Sequence, residues 1–212
     1  MKALKFILPV AILFASCAKE EISPITPNTP NPQPNNYEYY NLNINDVPQF
    51  VGEIDGTTTQ FVAGTDGVEN VASVSYTGNN STLATEFTVR ENGAVVGKLV
   101  IAKRYIAKTS LTDSSNVRQF FAAGNYGFSA DNSTSGVVIT YIDQNNTVWT
   151  SKSGNNADGN FNISTIKTAV TNPCMVVTYE VKTKIDLGCK LYNNGKSMVI
   201  SGSAIGQFAV AQ

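Results

Sequence analysis

The stretch MVVTYEVKTKIDL, residues 175–187, decides the fold class. Val177, Tyr179, Val181, Ile185 and Leu187 fall on alternate positions, with Thr178, Glu180, Lys182 and Lys184 between them. A period of two puts the first set on one face of a strand and the second on the other, so this is a strand with one buried and one wet face. Downstream, Cys189–Tyr192 turns at Asn193-Asn194-Gly195 into Met198–Ile200, and Ile205–Val210 follows.

The same grammar continues towards the N-terminus. Phe161–Ile166 reads as a strand, and Val137–Ile142 pairs with Thr147–Ser151 across the turn Asp143-Gln144-Asn145-Asn146. Leu83, Phe87 and Val89 alternate with Ala84, Glu86, Thr88 and Arg90, and Asn92-Gly93 turns this strand back into Ala94–Ala102. Gln49–Ile54 and Thr57–Ala63 flank Asp55-Gly56, a pair that accepts the positive φ values of a tight hairpin turn. The period changes only between Thr112 and Ala122. There Thr112-Asp113-Ser114 offers caps and Val117, Phe120 and Phe121 recur at helical spacing, which predicts one short helix across an open end or edge, its aromatic pair plugging the core. Roughly ten strands and one helix predict an all-β domain over residues 37–212, an antiparallel β-sandwich or, as the alternative, a closed barrel of the lipocalin kind.

The N-terminal residues follow different rules. Lys2 and Lys5 precede the apolar run Phe6–Phe14, which Pro9 interrupts and which is too short for the roughly 20 residues a spanning helix needs. Small residues then lead to Cys17. This order resembles a bacterial lipoprotein signal, with Phe14 where an aliphatic residue is usual. The resemblance implies a signal peptide over 1–16, cleaved before Cys17, and acyl chains such as palmitate on Cys17. Ala18 is not the aspartate that keeps enteric lipoproteins at the inner membrane, and Lys19-Glu20-Glu21 resembles the charged export tag of Bacteroidetes lipoproteins. The implied address is the outer membrane, lipid-anchored and exposed at the cell surface.

Between anchor and domain, Pro24, Pro27, Pro30, Pro32 and Pro34 alternate with Asn, Thr and Gln. Proline fixes φ and removes a hydrogen-bond donor, so residues 17–36 form the anchor and a disordered, semi-rigid tether. At about 3.1 Å per residue its Pro-rich part extends roughly 45 Å.

Gly124-Asn125-Tyr126, the run Val137–Asp143, Val148-Trp149, Phe161-Asn162-Ile163 and Cys189–Gly195 are similar to a group of Bacteroidetes lipoproteins of uncharacterised function. That resemblance implies anchoring and β architecture and brings no activity with it.

The chemical inventory is narrow. There is no histidine, which removes His-based triads and His metal sites, and a net charge of −1 leaves no basic face for nucleic acid. Ser164-Thr165-Ile166-Lys167 spells Ser-x-x-Lys, but on a strand positions i and i+3 face opposite ways, so it reads as a chance match. Asp55, Asp66, Asp143 and Asp158 sit in or beside turns, where backbone bonding accounts for them. Asn155-Asn156-Ala157-Asp158-Gly159 departs from calcium-loop spacing and reads as a turn. No catalytic residue, metal site or cofactor is expected.

Once Cys17 is lipidated, Cys174 and Cys189 remain as a candidate disulfide. A continuous strand between them would hold them roughly 50 Å apart, so a bridge requires the chain to double back near Asp186-Leu187-Gly188, and buried free thiols are the alternative. Trp149, Tyr126, Tyr141 and Tyr192 are candidate ligand-facing aromatics if they share an exposed face, and core residues otherwise. The expectation is a surface-anchored, non-catalytic module that binds or displays a glycan or a protein. The alternatives are a structural, pilus-like adhesive subunit that exchanges a strand with its neighbours, and a carboxylate-dependent hydrolase.

Overall fold

The computed structural model describes residues 46–77, 80–106, 120–131, 134–171 and 178–211. The leader, Cys17, the tether and Cys174 lie outside them, as does most of the segment expected to be helical.

Eleven strands form one sheet: β1 Gln49–Ile54, β2 Thr57–Val62, β3 Val68–Thr77, β4 Asn80–Glu91, β5 Ala94–Ile106, β6 Gly124–Asn125, β7 Gly136–Ile142, β8 Val148–Thr150, β9 Asn160–Thr171, β10 Thr178–Asn193 and β11 Lys196–Ala211. Their main path runs β2-β1-β11-β10-β8-β7-β5-β4-β3, with β9 on the far half of β10 and β6 on β9. Every pairing between named strands is antiparallel. The all-β expectation holds, and the barrel alternative describes the closure. No break divides the strands into two facing sheets, and β3 curls round against β11, nearly shutting the cylinder.

Two long strands make that curvature possible. β10 serves β9 along Thr178–Gly188 and β8 at Tyr192, while β11 pairs with β10 throughout and with β1 only over Ile200–Ile205. Each therefore changes neighbours along its length, as strands of a tilted barrel do. Where β1 crosses β11, Gly52 faces Gly202, and the ring of Phe50 lies over both. A Cβ on Gly52 would fall 2.1 Å from the Ser201 carbonyl oxygen, so any side chain there would force the strands apart. Past Ile205, the Gln207 amide donates to Thr85 Oγ1 of β4 at 3.4 Å, a polar stitch across the closure.

Period-two alternation fills the interior. Leu83 and Phe87 of β4, Leu99 and Ile101 of β5, Ile139 of β7, and Val181, Ile185 and Leu191 of β10 are buried in one cluster. The strand predicted to end near Leu187 continues through Gly188 to Asn193, and Cys189 keeps the inward phase. Thr183 shares that phase, its hydroxyl buried without a partner.

The two ends of the barrel differ. At one end lie the tight turns, Asp55-Gly56, Asn92-Gly93 and Asn194-Gly195, each with positive φ at both residues, and the Asp143–Asn146 turn closed by Asn146 at φ 59°. These turns form because Asn, Asp and Gly tolerate the left-handed region that a right-twisting hairpin requires. At the other end the chain crosses between β5 and β6. Phe120 is helical, and Phe120 and Phe121 are buried as the expected plug, Phe121 lying 4.6 Å from Phe208 of β11.

Candidate functional site

An open cleft of about 500 Å³ lies at the turn end. Thr59 and Phe61 of β2 form one wall; Val89 and Glu91 of β4, Val96 and Gly97 of β5, Tyr141 of β7 and the turn residues Gln144 and Asn145 form the rest. A β-bulge makes room for it. Val89 pairs with Gly97 but Arg90 with Val95, so Val96 is an extra residue and both Val96 and Gly97 reach the cleft. Gly97 leaves open space: a Cβ there would meet nothing nearer than 3.9 Å.

The Asp143 turn sets the rim. One carboxylate oxygen accepts from the backbone amides of Asn145 and Thr147, both at 2.9 Å, and the other from Trp149 Nε1 at 3.1 Å. Burial is the largest single influence and pushes this carboxyl up, but the Thr147, Trp149 and Asn145 hydrogen bonds together outweigh it and hold it below the usual carboxylate range. Burial, and secondarily the Asp143 charge, pushes the Tyr141 phenol up, so its hydroxyl keeps its proton and remains a donor.

The cleft lining has one charged residue, Glu91. Arg90 on the same strand pairs with Glu69 at 2.9 Å, and Lys98 of β5 pairs with Glu86.

The four candidate aromatics do not form one platform. Tyr141 and Trp149 are registered partners on β7 and β8, both half-buried against the core at the turn end. Tyr192 pairs with Thr150 and so faces the opposite way; its ring covers Gly154 and its hydroxyl donates to the Asn155 carbonyl at 2.7 Å. Tyr126 lies at the plugged end, its hydroxyl donating to the Ala122 carbonyl.

There Tyr126 meets a group that sequence reasoning missed. Lys103 is 7% exposed and points inward, its Nζ donating to the Phe120 carbonyl. The nitrogen stands 3.7 Å from the Tyr126 ring centre, 4.3 Å from Phe120 and 5.7 Å from Phe121, three aromatic faces around one amine. Burial lowers its pKa from 10.5 to about 7. The signal was available: Leu99, Ile101 and Lys103 share a phase, and the predicted strand stopped one residue short, at Ala102.

The remaining candidates resolve simply. Cys189 is a buried free thiol, pushed up by burial to about 12, and β10 runs straight through Asp186–Gly188 without the doubling back a bridge required. Ser164–Lys167 lie on β9, with Ser164 at a bulge, rather than at the start of a helix. The Asn155–Gly159 segment is a turn. Ala157 N donates to Asn155 Oδ1, while the Asn156 side chain takes Lys190 N at 2.8 Å and gives to Lys190 O at 3.0 Å, standing in for a strand partner of β10. Among the described residues no group of three or more Cys, Asp or Glu side chains could hold a metal ion.

No family model matches this chain, and no curated protein or solved structure matches it either.

Proposed function

We propose that the mature protein begins at Cys17, is held by acyl chains on that cysteine at the surface of a bacterial outer membrane, and uses its β domain as a non-catalytic binding module for a glycan or a protein. The observation that supports the binding reading is the open cleft of about 500 Å³ at the turn end, whose lining joins apolar side chains to hydroxyl and amide groups.

The two alternatives draw less support. A strand-exchanging subunit would keep a terminal strand to donate, whereas β11 pairs with β10 from Lys196 to Ala211. A carboxylate hydrolase uses two acids, and the cleft lining holds one, Glu91.

Metabolic labelling with a palmitate analogue, combined with membrane fractionation and protease shaving of intact cells, tests the reading. The natural chain is expected to take label, sediment with outer membranes and be cut from outside. Cys17→Ala is expected to lose label and leave the membrane fraction. A natural chain that stays unlabelled and keeps its leader would end the proposal.

A further inference from the structure

Resting on that reading, we propose that the turn-end cleft is a carbohydrate subsite that takes a neutral sugar end, and that it discriminates against acidic glycans. At about 500 Å³ the cleft falls within the range of small-molecule sites, roughly 300–1,000 Å³, and its open form suits the end of a chain rather than an enclosed ligand.

Its lining then narrows the chemistry. Val89, Val96 and Tyr141, with the small exposed edge of Phe61, form the apolar part of its floor, on which the C–H face of a sugar ring can rest. Gln144 and Asn145 bring amide groups, which both donate and accept and so match the dual character of sugar hydroxyls, and Thr59, whose hydroxyl donates to the Thr57 carbonyl, adds an acceptor. Tyr141 adds a donor held in its neutral form. Uronate, sulfate and phosphate groups call for a cation, and the lining contains none; on its two supporting strands Arg90 and Lys98 are paired with Glu69 and Glu86, while Lys103 and Arg104, further along β5, donate to the Phe120 and Asp131 carbonyls. Glu91 repels such groups further.

The turn is built so that recognition and folding are separable. Asp143 secures the loop through the backbone of Asn145 and Thr147, so the Gln144 and Asn145 side chains, both exposed, carry none of those bonds.

The test uses the full-length protein in detergent micelles, titrated with neutral oligosaccharides of several linkages, with uronate-containing and sulfated ones, and with an extended peptide. Neutral oligosaccharides are expected to bind, and Gly97→Val, which fills the floor, to weaken them at least tenfold. Gln144→Ala/Asn145→Ala is expected to weaken them several-fold with its melting temperature unchanged, and it serves on its own if Gly97→Val fails to fold. Neutral binding that neither variant alters overturns the cleft assignment and leaves the binding-module reading standing. Preference for acidic glycans, or for the peptide alone, overturns the inference, as does silence across the whole panel. The labelling experiment decides anchoring independently of every one of these results.

Discussion

One end of this barrel is stoppered with aromatic rings around a buried amine, and the other is tied by short polar turns around an open cleft. Both ends descend from the same alternating strands, and the difference lies in what the connections carry. Between β5 and β6 the chain is long enough to fold Phe120 and Phe121 back into the cylinder, where Phe121 has no exposure. The turns of the opposite end have two to four residues drawn from Asn, Asp, Gly and Gln, which have nothing apolar to insert. Apolar area removed from water therefore holds one end, and local backbone hydrogen bonding holds the other.

The strongest way to break this comparison is at the stopper. Phe121→Ala removes a ring packed 4.6 Å from Phe208 and in edge contact with Phe120 at 4.9 Å. A buried phenylalanine truncated this way costs about 3–5 kcal/mol, read from the urea midpoint at unchanged slope. A loss under about 1 kcal/mol would mean that the stopper is ornamental.

The next largest effect is electrostatic and depends on pH. Folded Lys103 releases its proton near pH 7, whereas in the unfolded chain it keeps it to about 10.5. Between those values the unfolded chain binds more protons, so stability rises with pH. Cys189 works in the opposite sense above pH 9, because its thiol stays protonated in the fold to about 12. The clean window is therefore pH 7–9, over which the rise is about 2–3 kcal/mol, two pH units at about 1.4 kcal/mol each. Lys103→Met, which keeps the stem and drops the charge, is expected to flatten this slope in denaturant titrations at several pH values. An unchanged slope would place the proton elsewhere.

The two ends were also unequally legible in the sequence. Asp55-Gly56, Asn92-Gly93 and Asn194-Gly195 announce their turns because few other pairs adopt two positive φ values in succession, and the Phe120–Phe121 plug was visible from spacing and apolarity. Lys103 was hidden because its charge argues for water while its phase argues for the interior, and only the arrival of Phe120, Phe121 and Tyr126 settles the conflict. The cleft was hidden for another reason: it depends on the extra residue at Val96 and on β2, more than thirty positions away in the chain, coming over β4 and β5. Strand order is a property of long-range pairing, and alternation within each strand carries no record of it. The aromatic platform failed for the same reason. Tyr141, Trp149 and Tyr192 all belong to alternating strands, but the pairing of Tyr192 with Thr150 puts it a phase apart from the other two.

The smallest expected effect belongs to the turn end, where it separates local tying from burial. Asp143→Ala takes away an acceptor that serves two backbone amides and an indole, yet those donors lie near water, which replaces much of what is lost. The cost is about 1–2 kcal/mol, less than at the stopper despite three hydrogen bonds against none. Because the folded carboxyl titrates below its ordinary value, its contribution is present above about pH 3.9 and fades as pH falls through the folded pKa, so natural and Asp143→Ala stabilities are expected to converge in acid. Asp143→Asn keeps one carbonyl oxygen for the Asn145 and Thr147 amides but turns a donor towards Trp149 Nε1, and is expected to fall between the two. If Asp143→Ala instead cost as much as Phe121→Ala, the turn would be part of the core, and the contrast between the two ends would have to be given up.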